Sequence, residues 1–488
     1  MFANIKKRIN AHNTTPSHAA VDLKKQGDVY IGEERYEQAI ECYQQAIKLS
    51  PHFSEALVAL GFALLETGAV EQAEKCLQQA LSITPNSVDA YFMLGNIAKI
   101  KGDLRQATEH YIRATNINPQ FEFAYRMLFE VYQAQGNAAL AKSLLERAML
   151  AFPSAVNFIF ERAGVAFAEK DYQKAITLLE KTLSLEPAHI ASHSNLAKIY
   201  MQLGQDEAAI PHLEQLTHIN PNDAALHEDL GNLYLKLGRK LDALASFKEV
   251  VRIEPDSPLT HLVAALSGTT TTTAPVAYAE KLFDHYAENF EAHLTQTLHY
   301  HTPTLLVSLI DSEVNLAGRK LEVLDLGCGT GLFGKAISSH ASRIVGVDIS
   351  TKMLEKAAQL NLYHRLEHTD ILAMMKKEPD ASYDLIAATD VFIYLGALDE
   401  LVVEAKRLLR PNGIFAFSTE CLPESASLAK HQGFELNDTG RYTHAISYLN
   451  KLANDAEFNI LETKEAIIRE NDGKPVIGHL SLWLVDAE

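Results

Sequence analysis

The sequence is poor in the residues that staple or metallate small folds. Four cysteines, Cys42, Cys76, Cys328 and Cys421, stand far apart with no CxxC pair and no histidine at metal-ligand spacing. That scarcity excludes a disulfide framework and a structural zinc site, and it fits a chain kept in the reducing cytoplasm. No window has the length and apolarity of a membrane span, and the amino-terminal stretch MFANIKKRINAHNTTPSHAA has basic residues without the apolar core of a secretory leader. Positive charge is short as well. Lys and Arg number 44 against 62 Asp and Glu, a formal net charge of −18, which opposes a phosphate backbone and argues against nucleic acid as a partner. The remaining composition, 47% hydrophobic and 22% charged, is that of globular domains, and 488 residues exceed one ordinary core.

What the first half does have is a period. Pro51, Pro85, Pro119, Pro153, Pro187, Pro221 and Pro255 follow one another at intervals of 34 residues without interruption. Twelve residues ahead of each proline stands an alanine: Ala39, Ala73, Ala107, Ala141, Ala175, Ala209 and Ala243. Eight residues ahead stands bulk: Tyr43, Leu77, Tyr111, Leu145, Leu179, Leu213 and Phe247. Twenty-four residues ahead the series reads Gly27, Gly61, Gly95, Phe129, Ala163, Ala197 and Gly231. Two antiparallel helices approach closely only where Gly or Ala faces the partner, with bulk interlocked beside it. Proline cannot continue a helix interior, so it closes one hairpin before the next helix begins.

These residues resemble tetratricopeptide repeats: seven 34-residue units over residues 20–257, behind an amino-terminal extension, 1–19. The resemblance implies an all-α superhelix whose groove receives a protein or peptide partner. The positions beside the small residue of the first helix read Asp28, Phe62, Asn96, Glu130, Gly164, Lys198 and Asn232, with no repeated chemistry, so the ligand is not legible. Service as a spacer or an oligomerisation element stays open. Residues 258–275 read as a capping helix, LTHLVAALSG, and a threonine-rich connector from Thr269 to Pro275.

From Leu321 onward strands and helices alternate. The runs LEVLDLG, RIVGVDI, YDLIAATD and GIFAFSTE predict a parallel sheet, and NILETKEAIIRE and KPVIGHLSLWLVDA, joined by Asn471-Asp472-Gly473, predict a closing antiparallel hairpin. The expected fold is an α/β Rossmann-like core over 319–488, a mostly parallel seven-stranded sheet, preceded by a helical lid over 276–318.

The strand Val323-Leu-Asp-Leu breaks into Gly327, Gly329 and Gly331 before a helix. With Gly334 the pattern also spells the dinucleotide motif GxGxxG, weak by itself. Asp325 separates the readings, because a carboxylate just before the loop opposes a pyrophosphate and suits a cationic ligand. Asp348 ends the second strand where a ribose-binding acid belongs, which fits NAD equally.

Taken in order, these elements resemble the donor site of class I S-adenosylmethionine-dependent methyltransferases. The resemblance implies that Asp325 lies near the methionine ammonium, with Gly327, Cys328, Gly329 and Gly331 forming the loop. It further implies ribose contacts from Asp348 and Ile349, an adenine cover from Met353 or Leu354 and adenine contacts from Asp370 and Ile371, with Thr389 closing the fourth strand. Upstream, Phe283, Asp284, Tyr286, Ala287, Phe290 and Glu291 are similar to the leading helices of quinone-biosynthesis and carrier-protein methyltransferases, which puts Tyr286 near the methionine carboxylate. The architecture resembles bacterial methyltransferases bearing tetratricopeptide repeats.

The expected function is therefore S-adenosylmethionine-dependent methylation of a small-molecule or carrier- or protein-bound acceptor, with the repeats mediating protein contact. An interaction scaffold that binds the donor without turnover is the alternative. Ala388-Thr389-Asp390-Val391 lacks the Asn/Asp-Pro-Pro-aromatic pattern of base and glutamine methylation, and Asp390 lacks the acidic twin of arginine methylation. No catalytic residue is assigned. His293, His299 and His444 are positioned as bases should one be required.

Overall fold

The computed structural model describes residues 15–286, 300–423, 433–471 and 474–487. They form two compact units, Met1–Ile219 and Asn220–Glu488.

The first unit is a succession of helical hairpins. Among the described residues twelve helices run from α1 (His18–Gly32) to α12 (Asp206–Ile219). The spacing of small and large residues has the mechanical meaning read from the sequence. A Cβ placed on Gly27 would lie 2.5 Å from Tyr43, one on Gly61 2.8 Å from Leu77, and one on Gly95 2.5 Å from Tyr111. Each glycine lets the bulky side chain of the facing helix press against its backbone. Two of the positions expected to face a ligand are committed to this packing as well: Asp28 accepts from the Tyr43 hydroxyl at 2.9 Å and Asn96 from the Tyr111 hydroxyl at 2.6 Å.

The second unit opens with one further hairpin, α13 (Ala224–Lys236) and α14 (Lys240–Ile253), then α15 (Thr260–Leu266), α16 (Val276–Tyr286) and α17 (Thr302–Val314). Here too Gly231 admits Phe247, 2.5 Å from its would-be Cβ. The sheet that follows runs β1 (Leu321–Leu326), β2 (Ala341–Asp348), β3 (Arg365–His368), β4 (Tyr383–Ala388), β5 (Leu409–Cys421), β6 (Phe434–Leu436), β7 (Tyr442–His444), β8 (Asn459–Asn471) and β9 (Lys474–Leu484). Strands β3-β2-β1-β4-β5 are parallel neighbours, β9 pairs antiparallel with β5, and β8 antiparallel with β9.

The mostly parallel sheet with an antiparallel hairpin is present, but it has nine strands among the described residues, not the expected seven. The additions, β6 and β7, are three residues each and branch from the end of β5 at Glu420 and Cys421. So short a run shows no usable alternation in a sequence. The central strands are buried on both faces, which is why they read as continuous apolar runs. Trp483, 1% exposed, anchors one face with its ring edge-on to Phe417 at 4.8 Å and to Phe415 at 5.9 Å.

The last helical hairpin and the connector belong to this unit by their bonds. Lys240 pairs with Asp438 at 2.5 Å, Lys281 with Glu228 at 2.5 Å, and buried His261 bonds through Nε2 to the Gly440 carbonyl at 2.9 Å. The threonine connector, expected to be extended, has no regular structure beyond a bend at Thr272 and an isolated bridge from Thr273 to Leu395, and it is tied down. The Thr272 carbonyl accepts from the amides of Gly396 and Ala397, both at 2.9 Å, and Thr271 Oγ1 meets the Tyr442 hydroxyl at 2.6 Å.

Candidate donor site

The carboxyl ends of β1, β2 and β4 open onto one cavity of about 990 Å³. Strand carboxyl ends on either side of the first strand are where open α/β sheets bind ligands.

The turn after β1 is made by three glycines in the left-handed region, Gly327 (φ 62), Gly329 (φ 53) and Gly331 (φ 91), a conformation that disfavours side chains. Gly327 also lies under Val391, 2.5 Å from its would-be Cβ, whereas a Cβ on Gly329 would meet open space. The loop backbone is thus bare toward the cavity. Thr330, 4% exposed, lines the cavity with a buried Oγ1 that has no partner among the described residues.

Asp348 closes β2 beside this loop. Its Oδ2 accepts from the Gly329 amide at 2.8 Å and its Oδ1 from the Ser350 amide at 2.9 Å. Burial pushes its carboxyl above the usual range, and the amides of Ser350, Gly329 and Ile349 oppose that rise. Ser350 caps α19 (Thr351–Gln359) by accepting from the Met353 amide, and its hydroxyl donates to Asp284 of α16 at 2.6 Å. The leading helix is therefore fastened to the donor side of the sheet through Asp284. Asp370 caps a short helix, Oδ1 accepting from the Ala373 amide at 2.9 Å.

Of the residues expected from sequence, Gly327, Cys328, Gly329, Asp348, Ile349, Met353, Asp370, Ile371 and Thr389 all line the cavity. Gly331 does not; its would-be Cβ faces Leu360 at 2.7 Å, and it starts α18 (Leu332–Ile337). Asp325 does not either. It is fully buried, and its Oδ2 accepts from the Tyr363 hydroxyl at 2.6 Å, so the structure puts the carboxylate behind the loop. Burial raises its pKa to about 7, against the opposing Tyr363 hydrogen bond. The side chain of Tyr286, and Ala287, Phe290, Glu291, His293 and His299, lie outside the described residues. His444 is fully buried with Nε2 on the Gly396 carbonyl at 3.0 Å, away from the cavity wall, and burial lowers its pKa to about 4. That is the environment of a structural imidazole.

Several participants escaped sequence reasoning. Tyr363 has no local signature; it matters because Gly331, Gly334 and Gly346 all make room for its ring. Arg469 of β8 is 2% exposed and reaches the cavity wall, where Nη1 donates to Asp390 Oδ2 at 2.7 Å and Nη2 pairs with Glu420. A shift in the β8–β9 register between Ile467 and Arg469 re-aims the side chain, a common use of bulges next to sites. Tyr300 is also buried at the wall, which it shares with Thr389.

The arrangement defines a class. Residues 324–417 match the family model described as methyltransferase domain, and models described as tetratricopeptide repeat match residues 30–97, 88–121, 126–189, 166–228 and 207–266. The chain carries a tetratricopeptide-repeat array followed by a methyltransferase domain. Among particular proteins it is similar to the malonyl-[acyl-carrier protein] O-methyltransferase of Halalkalibacterium halodurans, 36% identical over 121 residues, 23% of this chain and 45% of that one. It is likewise similar to the ubiquinone biosynthesis O-methyltransferase of Coxiella burnetii, 27% identical over 128 residues, 25% of this chain and 52% of that one. The chain thus spans about half the length of the curated relatives it matches. Among solved structures, the C-terminal part of a TPR repeat-containing protein from Cytophaga hutchinsonii is 19% identical, with 48% of this chain and 96% of that chain covered at a TM-score of 0.42. No helix of the described residues is long and apolar enough to cross a membrane.

Proposed function

We propose that the cavity binds S-adenosylmethionine and that the protein is a methyltransferase acting on a small-molecule or carrier- or protein-bound acceptor. The observation that carries this is the charge around the glycine loop. Asp325 lies behind it, Asp348 takes one of its amides, and the wall between them is bare backbone and an unpartnered Thr330 hydroxyl. An anionic pyrophosphate would meet the Asp348 carboxylate at the cavity wall and find the Gly329 amide already taken by it. A cationic nucleoside would be favoured by the same field.

In this reading Gly327, Cys328 and Gly329 bring backbone against the donor, Asp348 accepts from ribose hydroxyls, Met353 covers the adenine, and Asp370 and Ile371 meet its edge. The donor supplies an electrophilic methyl group on a sulfonium. The chain contributes position and dryness: Tyr300, Phe283 and Tyr394 bring aromatic rings to the cavity wall, with Phe283 edge-on to Tyr394 at 5.2 Å. The repeats are suited to hold a protein partner, and a cytoplasmic location accords with the free cysteines. A donor-binding scaffold is less well supported, because the matching family model is a methyltransferase domain and the similar curated proteins are O-methyltransferases.

Calorimetry tests the donor directly. S-adenosylmethionine and S-adenosylhomocysteine are expected to bind at micromolar concentration and NAD not at all. Labelled methyl groups are then expected in a small-molecule or protein fraction of cell extract. Binding of NAD in place of the methyl donor would overturn the assignment.

A further inference from the structure

Among the described residues the cavity wall holds five acids and two cations, and their partners differ. Asp348 and Asp370 accept backbone amides, Asp390 is paired with Arg469, Asp399 accepts from the Tyr448 hydroxyl at 2.8 Å, and Glu400 is paired with Lys376. The cations are Arg441 and Arg469. Arg469 sits between two carboxylates, Asp390 and Glu420, so its charge is more than balanced.

Arg441 is different. It stands in the turn between β6 and β7, and among the described residues it forms no ion pair. It shares the cavity wall with the Tyr394 hydroxyl, whose pKa burial raises against the lowering effect of the guanidinium. The nearest acid along the turn, Asp438, is taken by Lys240 of α14. An arginine cannot shed its proton, so a guanidinium in a cavity wall keeps both its charge and its planar fork of donors.

The surroundings say which half of the cavity this is. Thr439 lines the wall beside Arg441, and Asn232 and Leu235 of α13 and Leu262 of α15 line it too. The donor residues come instead from the carboxyl ends of β1, β2, β3 and β4 and the start of α19. The wall formed by the terminal helical hairpin and the β6–β7 turn is thus left for the acceptor. The turn itself is fixed by the His261 bond to Gly440, and a Cβ on Gly440 would come within 2.9 Å of the Tyr278 hydroxyl, so Arg441 is presented from a braced position.

We infer that the methyl acceptor bears an oxyanion, carboxylate or phosphate, which Arg441 receives at the end of the cavity walled by the terminal helical hairpin. This rests on the methyltransferase reading for the word acceptor, but the anion site stands on its own residues. Arg441 is a specificity residue. It holds the acceptor by a charged group and does not touch the methyl being moved. The apolar neighbours Leu235, Leu262 and Phe283 would take the acceptor's carbon skeleton, and a bidentate arginine contact fixes its direction.

The test titrates the full-length protein, saturated with S-adenosylhomocysteine, with benzoate, phenyl phosphate and benzamide, which share one ring. At least one anion is expected to bind about tenfold or more tightly than benzamide, and the preferred anion tells carboxylate from phosphate. Arg441→Gln is expected to abolish that preference and Arg441→Lys to keep part of it, with S-adenosylhomocysteine affinity unchanged in both. Anions that bind no better than benzamide, or a preference that survives Arg441→Gln, would overturn the inference. Failure of S-adenosylhomocysteine itself to bind would fall on the methyl-donor reading instead. The same three titrations without it would still decide the role of Arg441.

Discussion

The hydroxyl of Tyr363 donates to the buried carboxylate of Asp325 across 2.6 Å, joining the turn before β3 to the strand that launches the glycine loop. Gly334 exists for this bond. A Cβ there would lie 2.4 Å from the Tyr363 oxygen, so the third glycine of the GxGxxG pattern makes space for a phenol and not for a phosphate. Gly334→Ala is expected to destabilise the domain by about 1–3 kcal/mol through overpacking. Tyr363→Phe should cost a similar ~1–3 kcal/mol by leaving a buried carboxylate without its donor. Urea denaturation followed by tryptophan fluorescence, reporting Trp483, measures both, and a Tyr363→Phe protein as stable as wild type would show the bond to be dispensable.

Protonation of Asp325 and His444 should bend the stability of the second unit in opposite directions. Asp325 has its folded pKa raised to about 7 by burial. Its contribution is therefore fully present below the unfolded carboxylate value of about 4 and is lost as pH rises toward 7. His444, its folded pKa lowered to about 4 by burial, resists protonation, so its contribution is lost as pH falls from about 6.5 toward 4. Asp325→Asn is expected to gain stability relative to wild type as pH climbs from 5 to 8. His444→Gln should flatten the loss on the acid side. Denaturation midpoints between pH 4 and 8 separate the two, and parallel curves for wild type and Asp325→Asn would contradict the first.

Asp348 sits where the donor ribose is proposed to lie, yet it also holds the loop through the Gly329 amide. Asp348→Asn can accept only one of its two amides, that of Gly329 or that of Ser350, and sets its NH2 against the other, so the loop should loosen locally while donor affinity drops about tenfold or more, one charged hydrogen bond being worth ~1.5–3 kcal/mol. Calorimetry with S-adenosylhomocysteine, alongside circular dichroism, distinguishes lost contact from lost structure. Unchanged affinity would remove Asp348 from the site.

Arg469 joins β8 to the end of β4 through Asp390 and to β5 through Glu420. Arg469→Met strands two acids against each other in a dry wall, at a cost of about 3–5 kcal/mol. Arg469→Met combined with Asp390→Asn and Glu420→Gln should recover much of it, because all three charges are then gone. Equal instability of the single and triple variants would mean that the guanidinium acts through packing alone.

Much of this was legible without coordinates, for reasons that differ between the halves. In the repeats, proline, alanine and bulk recur at intervals set by the hairpin itself, so the paired helices and the close approach at Gly27, Gly61, Gly95 and Gly231 were written locally. In the sheet domain the glycine loop and Asp348 belong to one stretch of chain, where backbone conformation and strand ends leave a local trace.

Tertiary structure decided the rest. That Asp325 turns away from the cavity to Tyr363, that Arg469 reaches Asp390 across 79 positions of chain, and that the terminal hairpin shares a wall with the donor loop all depend on contacts between residues distant in sequence. Composition and period describe a segment's preference for helix or strand. They say nothing of which buried charge finds which partner, because that is fixed by the geometry of the packed sheet and by the cost of leaving either one alone in a dry interior.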